Sequence, residues 1–397
     1  MAINEILLAS KPIRALFIDH TAQLGGGEIA LLELLPALDR ELIEPVALLF
    51  SDGPLKERLQ ASGIPTHLLP TSKELIEARK DSMGGSAILR LRTTWEGFRT
   101  ILMVRKFIRQ EKFQIAHTNS LKADILGGLA ARMAGVKLVW HLRDRIEPDY
   151  LPDSVVRILR LLCRVIPDYL VANSESTLET LSLHGRRPGM VIYSGVGNEW
   201  FEASPPPCLT SNSPHIGIVG RITEWKGQHI FLEAAGIVLK SYPEARFQIV
   251  GAALFGEEAY EARIREMADQ EPLKGRVEFL GFRKDVLAVM SGLDIVAHAS
   301  ITPEPFGQVV VQGMALGRPV VGTDAGGVRE TMVNGETGLL VPPGDSSAMA
   351  EALCSLLADP ERARQMGQCG KERAKRLFSV ERAARQLEEL YSDLQKH

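Results

Sequence analysis

At 397 residues the chain is too long for one ordinary core and favours two domains or one large α/β unit. Its 45% hydrophobic and 24% charged residues exclude a disordered chain, and a net charge of −3 over 46 basic and 49 acidic side chains argues against a nucleic-acid partner. Four widely spaced cysteines, Cys163, Cys208, Cys354 and Cys369, suit neither a zinc set nor a redox pair, so free thiols in a reducing cytoplasm are the simplest reading.

The N-terminal run is interrupted by Glu5 and Lys11 and does not read as a signal peptide. No eighteen apolar residues follow one another, so no bilayer-spanning helix is expected. From Arg14 to Ile192 short β-branched runs alternate with amphipathic stretches, as when parallel strands are joined by crossover helices. Strands are predicted at 15–18, 46–50, 115–117, 138–141, 169–172 and 191–192.

The first of these ends at Asp19–His20 and enters Gln23-Leu24-Gly25-Gly26-Gly27-Glu28, before a helical pattern at 29–38. Such a loop lets a ligand approach the backbone, and the helix start offers unpaired N–H groups to an anion. A plain strand-to-helix turn is the alternative. The third glycine and the ribose-binding acid of a dinucleotide site are missing, which disfavours a dehydrogenase.

Residues 88–112 form a basic amphipathic helix, with Leu91, Trp95, Phe98, Leu102 and Phe107 at helical spacing. Seven basic side chains (Arg90, Arg92, Arg99, Arg105, Lys106, Arg109, Lys112) stand against Glu96 and Glu111. Such a helix suits the surface of an anionic membrane, or else it is an ordinary domain helix with a solvated basic face.

Pro205, Pro206, Pro207 and Pro214 break regular structure over 202–214, where the domain linker is placed. A second series of strands is predicted at 216–219, 247–250, 277–280, 295–297, 319–322 and 338–341, followed by helices after Pro360 with a break at Phe378–Ser379. Ligands of open α/β sheets bind beyond the carboxyl ends of the strands, so chemistry is expected there. At the tip of 216–219, Gly220-Arg221-Ile222-Thr223-Glu224-Trp225-Lys226-Gly227 places Arg221 and Lys226 where they can converge on phosphates. Farther on, Glu304-Pro305-Phe306-Gly307-Gln308 leads into a helical run, and Gln312 falls eight residues after Glu304, a spacing that puts both along one side of a helix.

The stretch from Glu304 to Asp324, with Gly326-Gly327 after it, resembles the signature of the retaining glycosyltransferases of family 4, and the resemblance covers nearly the whole chain. Gly220-Arg221-Ile222 with Lys226-Gly227, Gly281-Phe282-Arg283-Lys284-Asp285-Val286, and Asn173-Ser174-Glu175-Ser176 are similar to their family counterparts. The resemblance implies the GT-B fold: two Rossmann-like doubly wound α/β domains facing a central cleft, at 1–201 and 215–379, with the last helix, 380–397, packing back on the first. It implies that Arg221 and Lys226 hold the donor diphosphate, helped by backbone N–H groups at Gly26, Gly27 and Gln308. Glu304, with Phe306 and Gly307, would meet the sugar, and His141 would lie beside it; Glu304 and His141 are the catalytic candidates. Gln312, Phe282 and Arg283 would serve the ribose and nucleotide. No metal and no cofactor are implied, the basic groups taking the cation's place.

Two positions depart from the family. Gln312 stands where a glutamate is usual, which retunes ribose binding because an amide both accepts and donates. Tyr193-Ser194-Gly195-Val196-Gly197-Asn198 stands where an Asn and an Asp usually appear, and it does not keep them in their usual places. The expected activity is sugar transfer with retention from a UDP-sugar, with a GDP-sugar as second choice. The acceptor would be a saccharide or lipid-linked hydroxyl in polysaccharide or glycolipid synthesis, in the cytoplasm or at the inner face of the membrane. A nucleotide-sugar epimerase of the same fold and a non-catalytic partner subunit are the competing readings.

Overall fold

A computed structural model describes residues 11–71, 87–149, 151–183, 185, 188–254 and 256–396. Its contacts divide the chain into two compact units, one taking the chain up to Gly195 together with the segment from Val380 onward, the other Val196–Ser379.

The first unit is a seven-stranded parallel sheet. Its strands are β1 (Ile13–Asp19), β2 (Ile43–Leu49), β3 (Thr66–Leu68), β4 (Ile115–Thr118), β5 (Lys137–Leu142), β6 (Tyr169–Ala172) and β7 (Gly189–Val191), in the order β3-β2-β1-β4-β5-β6-β7. In register, Ala15 of β1 lies beside Pro45 on one side and Ile115 on the other. Both sheet faces are covered, which is why these strands read as apolar runs rather than alternating ones. Ala15 and Phe17 pack on one face with Leu31, Leu35, Val139 and Leu387, while Leu16 and Ile18 pack on the other with Val104, Ala116, Trp140 and Leu159. The sequence reading missed β3, an edge strand of mixed polarity whose His67 is exposed.

The second unit carries β8 (His215–Val219), β9 (Arg246–Val250), β10 (Val277–Gly281), β11 (Ile295–Ala297), β12 (Val320–Thr323) and β13 (Leu339–Val341), all parallel, in the order β10-β9-β8-β11-β12-β13. One large core forms between this sheet and the helices Gln228–Val238 and Ser346–Ala358. The two units are thus Rossmann-like folds with the same central order.

The Pro-rich segment 202–214, expected to be the linker, belongs to the second unit. Cys208 is buried, Leu209 packs on that unit's core, and the Leu209 and His215 N–H groups both donate to the Asp294 carboxylate, at 2.5 and 2.7 Å. Trp200 and Phe201, before the prolines, are buried as well, so the division falls after Gly195. Proline ends regular hydrogen bonding but does not prevent burial, and the composition of 202–214 carries no sign of its packing. The last helix, Val380–Lys396, lies against Gly26–Ala37 of the first unit and buries Ala383, Ala384, Leu387 and Tyr391.

Candidate functional site

Strand order reverses between β1 and β4 in the first unit and between β8 and β11 in the second, the positions where doubly wound sheets take ligands. Glu304 follows β11, which flanks the second reversal, and His141 lies at the end of β5, one strand removed from the first.

In the second unit, β8 ends at Val219 and the chain makes a 3-10 turn at Glu224–Lys226 before the helix Gln228–Val238. Gly227 holds φ +70°, and a Cβ there would lie 2.0 Å from the Ala299 carbonyl oxygen, so only glycine lets the turn press on the end of β11. That contact delivers Lys226 to the residues after β11. Lys226 Nζ donates to Glu304 Oε1 at 2.5 Å, His298 Nε2 donates to the same oxygen at 2.8 Å, and the Ser300 hydroxyl donates to it as well. The Thr323 N–H points at His298 Nδ1 from 3.5 Å, which makes Nε2 the protonated nitrogen. All three bonds end on Oε1, and no described residue donates to Oε2. Burial pushes the Glu304 carboxyl upward, but Lys226 and His298 outweigh it and hold the group well below the usual carboxylate range. The result is a buried, ionised carboxylate with one oxygen uncommitted.

Lys226 Nζ also sits over the Trp225 ring, 4.6 Å from its centre, with the Arg221 guanidinium 5.9 Å from the same centre. Arg221 and Lys226 therefore flank one indole, as their shared turn requires. Glu304 itself lies in the loop before the helix Gln308–Ala315, not in the helix, because Gly307 at φ +93° starts that helix. The helical spacing expected between Glu304 and Gln312 does not apply. Gln312 is buried within the helix, and Gln308 is its first residue. Phe306 is buried with its ring edge-on to Phe378, at 5.7 Å, so its side chain serves the core and leaves only backbone to a ligand. The Glu304–Phe306 backbone is clamped by Gly326-Gly327, whose Gly327 N–H donates to the Glu304 carbonyl at 2.8 Å. Phe282, just past β10, is 59% exposed and offers an open ring face, while Arg283 beside it is engaged by Asp285 through two bonds of 2.8 and 2.6 Å.

The first unit's strand tips carry a different chemistry. Gly26 opens the helix Gly26–Ala37, and the Glu28 carboxylate accepts the Gly25 N–H at 3.0 Å. His141, at the end of β5, is buried and meets His117 of β4, whose Nε2 lies 3.1 Å from His141 Nδ1. Arg143 is nine-tenths buried among Asn119, Ser194 and His141, at 2.6, 3.0 and 3.5 Å. Asn119 in turn donates to Asp19, at 2.8 Å, and to the Gly27 carbonyl at 3.2 Å. Burial, opposed by Asp19 and Glu28, lowers the Arg143 guanidinium to about 10, so it remains charged at neutral pH. Burial and then Arg143 push His117 down to about 3, and His141 is lowered well below the usual imidazole range by the same causes.

The sequence reading missed His298, Arg143, His117 and Asn119. Position at a strand tip was the available signal: Val296-Ala297-His298 matches Val139-Trp140-His141 in pattern, and Arg143 follows the same tip. Ser194, within the stretch that departs from the family, has a partner in Arg143.

Two doubly wound parallel halves with ligand-type clusters at both strand reversals define the GT-B class of glycosyltransferases. The family model "Glycosyl transferases group 1" matches residues 204–373, and "Glycosyltransferase Family 4" matches 24–199. A D-inositol 3-phosphate glycosyltransferase of Corynebacterium glutamicum is 34% identical over 312 residues, covering 72% of this chain and 74% of that one. Its counterpart from Corynebacterium urealyticum is 34% identical over 184 residues, which span only 43% of its own length. Anabaena Alr3699/HepE, solved in complex with UDP and glucose, superposes with a TM-score of 0.81 at 28% identity over 96% of this chain and 99% of that one. The chain belongs to the group 1 glycosyltransferases.

Proposed function

We propose that the chain transfers a sugar, with retention of anomeric configuration, from a UDP-sugar to a hydroxyl of a saccharide or lipid-linked acceptor. The observation that carries this reading is the buried Glu304 carboxylate, held ionised by Lys226 and His298 with Oε2 uncommitted. In this reading Oε2 accepts a sugar hydroxyl. Lys226 keeps donors beyond the one given to Glu304, and with Arg221 it takes the diphosphate, neutralising charge that builds as the bond from the anomeric carbon to the phosphate oxygen breaks. The acceptor oxygen then bonds to the same face of that carbon, and its proton leaves with the departing diphosphate. In this reading these basic groups, with backbone N–H groups at Gln308, Gly26 and Gly27, take the charge-stabilising role that a divalent metal plays elsewhere, so turnover should persist in chelator. Gln312 and the open Phe282 ring are assigned to ribose and base.

Uridine is favoured because the HepE structure, at 28% identity, was solved with UDP-glucose. Contact with an anionic membrane through 88–112 draws support from Trp95, Phe98 and Leu102, all exposed on one helix with Arg99, Lys106 and Arg109. The side chains of Arg90, Leu91 and Arg92, like Glu5, lie outside the described residues. No described helix is long and apolar enough to cross a membrane.

The test is calorimetry and product analysis with Glu304→Gln. The variant should bind UDP as the wild type does and should lose transfer by about a hundredfold, since a charge-assisted contact contributes about 1.5–3 kcal/mol. A large loss of UDP affinity would move Glu304 to nucleotide binding. An anomer of inverted configuration in the wild-type product would overturn retention.

A further inference from the structure

The hydrogen bonds behind His141 run back to the C-terminal helix. Tyr391 Oη lies 2.7 Å from His117 Nδ1, and His117 Nε2 lies 3.1 Å from His141 Nδ1. All three side chains are buried, and each imidazole sits in a setting that disfavours its charged form. Arg143 Nη2 also faces His141 Nδ1, at 3.5 Å. A guanidinium only donates, so it selects the lone-pair form of Nδ1. His141 then carries its proton on Nε2, His117 must donate from Nε2, and the remaining lone pair of His117, on Nδ1, must accept the Tyr391 hydroxyl proton. The opposite sense would turn a His141 N–H toward the guanidinium and leave Tyr391 without an acceptor among the described residues. The far end of the chain is His141 Nε2, which is buried and has no hydrogen-bond partner among the described residues. A buried donor without a partner costs about 1–3 kcal/mol, a cost that is recovered when a ligand oxygen accepts from it.

We infer that Tyr391 and His117 are positioning residues that, together with Arg143, hold His141 in one tautomer, so that His141 presents Nε2–H as a fixed donor to an oxygen of the bound sugar nucleotide. The inference rests on the reading of His141 as a donor-site residue. It gives the last helix a purpose beyond packing: the segment that returns to the first unit after Ser379 brings the hydroxyl that orients the relay. His141 acts here as a neutral donor rather than as a proton-accepting base, because Nδ1 is occupied and Nε2 already holds its proton.

Long-range proton–nitrogen NMR on the full-length chain with labelled histidine reads both tautomers directly, with His117→Gln and His141→Gln supplying assignments. The unliganded wild type should show Nε2–H at both positions. Tyr391→Phe keeps the ring and drops the hydroxyl; it should shift His117 toward Nδ1–H, mix the His141 tautomers, and lower kcat for UDP release from UDP-glucose by about tenfold with donor KM changed far less. The double variant His117→Gln, Tyr391→Phe supplies an amide donor to His141 without the hydroxyl and should restore Nε2–H at His141. A wild-type His141 protonated on Nδ1, or tautomers unmoved by Tyr391→Phe, would overturn the inference. Should Tyr391→Phe fail to fold, the wild-type spectrum and the tautomer of His141 in His117→Gln decide the matter. Tautomers as expected in a chain that turns over no nucleotide sugar would leave the relay standing and remove the functional reading instead.

Discussion

The two halves solve the same geometric problem with opposite chemistry. Each sends its first strand through a glycine-bearing turn into a helix beside the strand reversal. In the second half the turn is sterically locked: Gly227 presses on Ala299, and a Cβ at Gly251 would lie 1.9 Å from the Gly220 carbonyl oxygen. What it delivers is full charge, the Lys226–Glu304 pair. In the first half a Cβ on Gly26 would meet nothing within 4 Å, and the neighbouring groups form a hydrogen-bonded network around two uncharged imidazoles and Arg143. Charge placement suits a diphosphate leaving group, whereas fixed donors on neutral imidazoles suit the orientation of hydroxyls. A shared fold therefore leaves the chemistry of each half to a few strand-tip residues.

The comparison is broken most directly at the two turns. Gly227→Ala should destabilise the second unit by about 3 kcal/mol or more, because a carbonyl clash adds to a left-handed φ, and thermal unfolding reads this. Gly26→Ala should leave stability within about 0.5 kcal/mol and show its effect in UDP affinity. If Gly26→Ala alters neither property, the first turn is only a connection and its place at the diphosphate is wrong.

Lys226→Ala should lower kcat/KM for the donor by about ten- to a hundredfold. It should also move the acid limb of the pH–rate profile upward, since Glu304 loses a group that favours its carboxylate form. An acid limb that stays in place would mean that Lys226 does not govern Glu304.

Restoring the family residue with Gln312→Glu sharpens the picture on the nucleotide side. A carboxylate accepts stronger hydrogen bonds from ribose hydroxyls, and the adjoining diphosphate opposes it, so UDP affinity should rise by up to about tenfold or stay level. Affinity lower by more than about tenfold would show that the amide N–H is itself a required donor.

The smallest effect is expected at Glu28, whose carboxyl is raised to about 8, by burial first and by Asp19 second. A carboxyl raised on folding contributes stability below its unfolded value, about 4.3, and that contribution is lost as pH rises through the folded value. Glu28→Gln removes the loss. Its melting temperature relative to wild type should therefore climb by a few degrees, roughly, between pH 5 and pH 8.5. A constant difference across that range would place Glu28 in a solvated setting.

Sequence alone determined the alternation of parallel strands and helices, because strands buried on both faces must be continuous apolar runs, and twelve of the thirteen strands could be read from them. It also singled out Arg221, Lys226 and Glu304 as candidates, since glycine turns and strand tips leave local marks. The edge strand β3 escaped because it buries little. Tertiary structure alone decided the rest. It assigned the Pro-rich 202–214 to the second unit through Cys208, Leu209 and Asp294, and it buried the Phe306 ring edge-on to Phe378. It joined His298 to Glu304, and Tyr391 to a histidine 274 residues away. Periodicity reports which face of an element is apolar, but it holds no record of which distant polar groups will meet once those faces are packed.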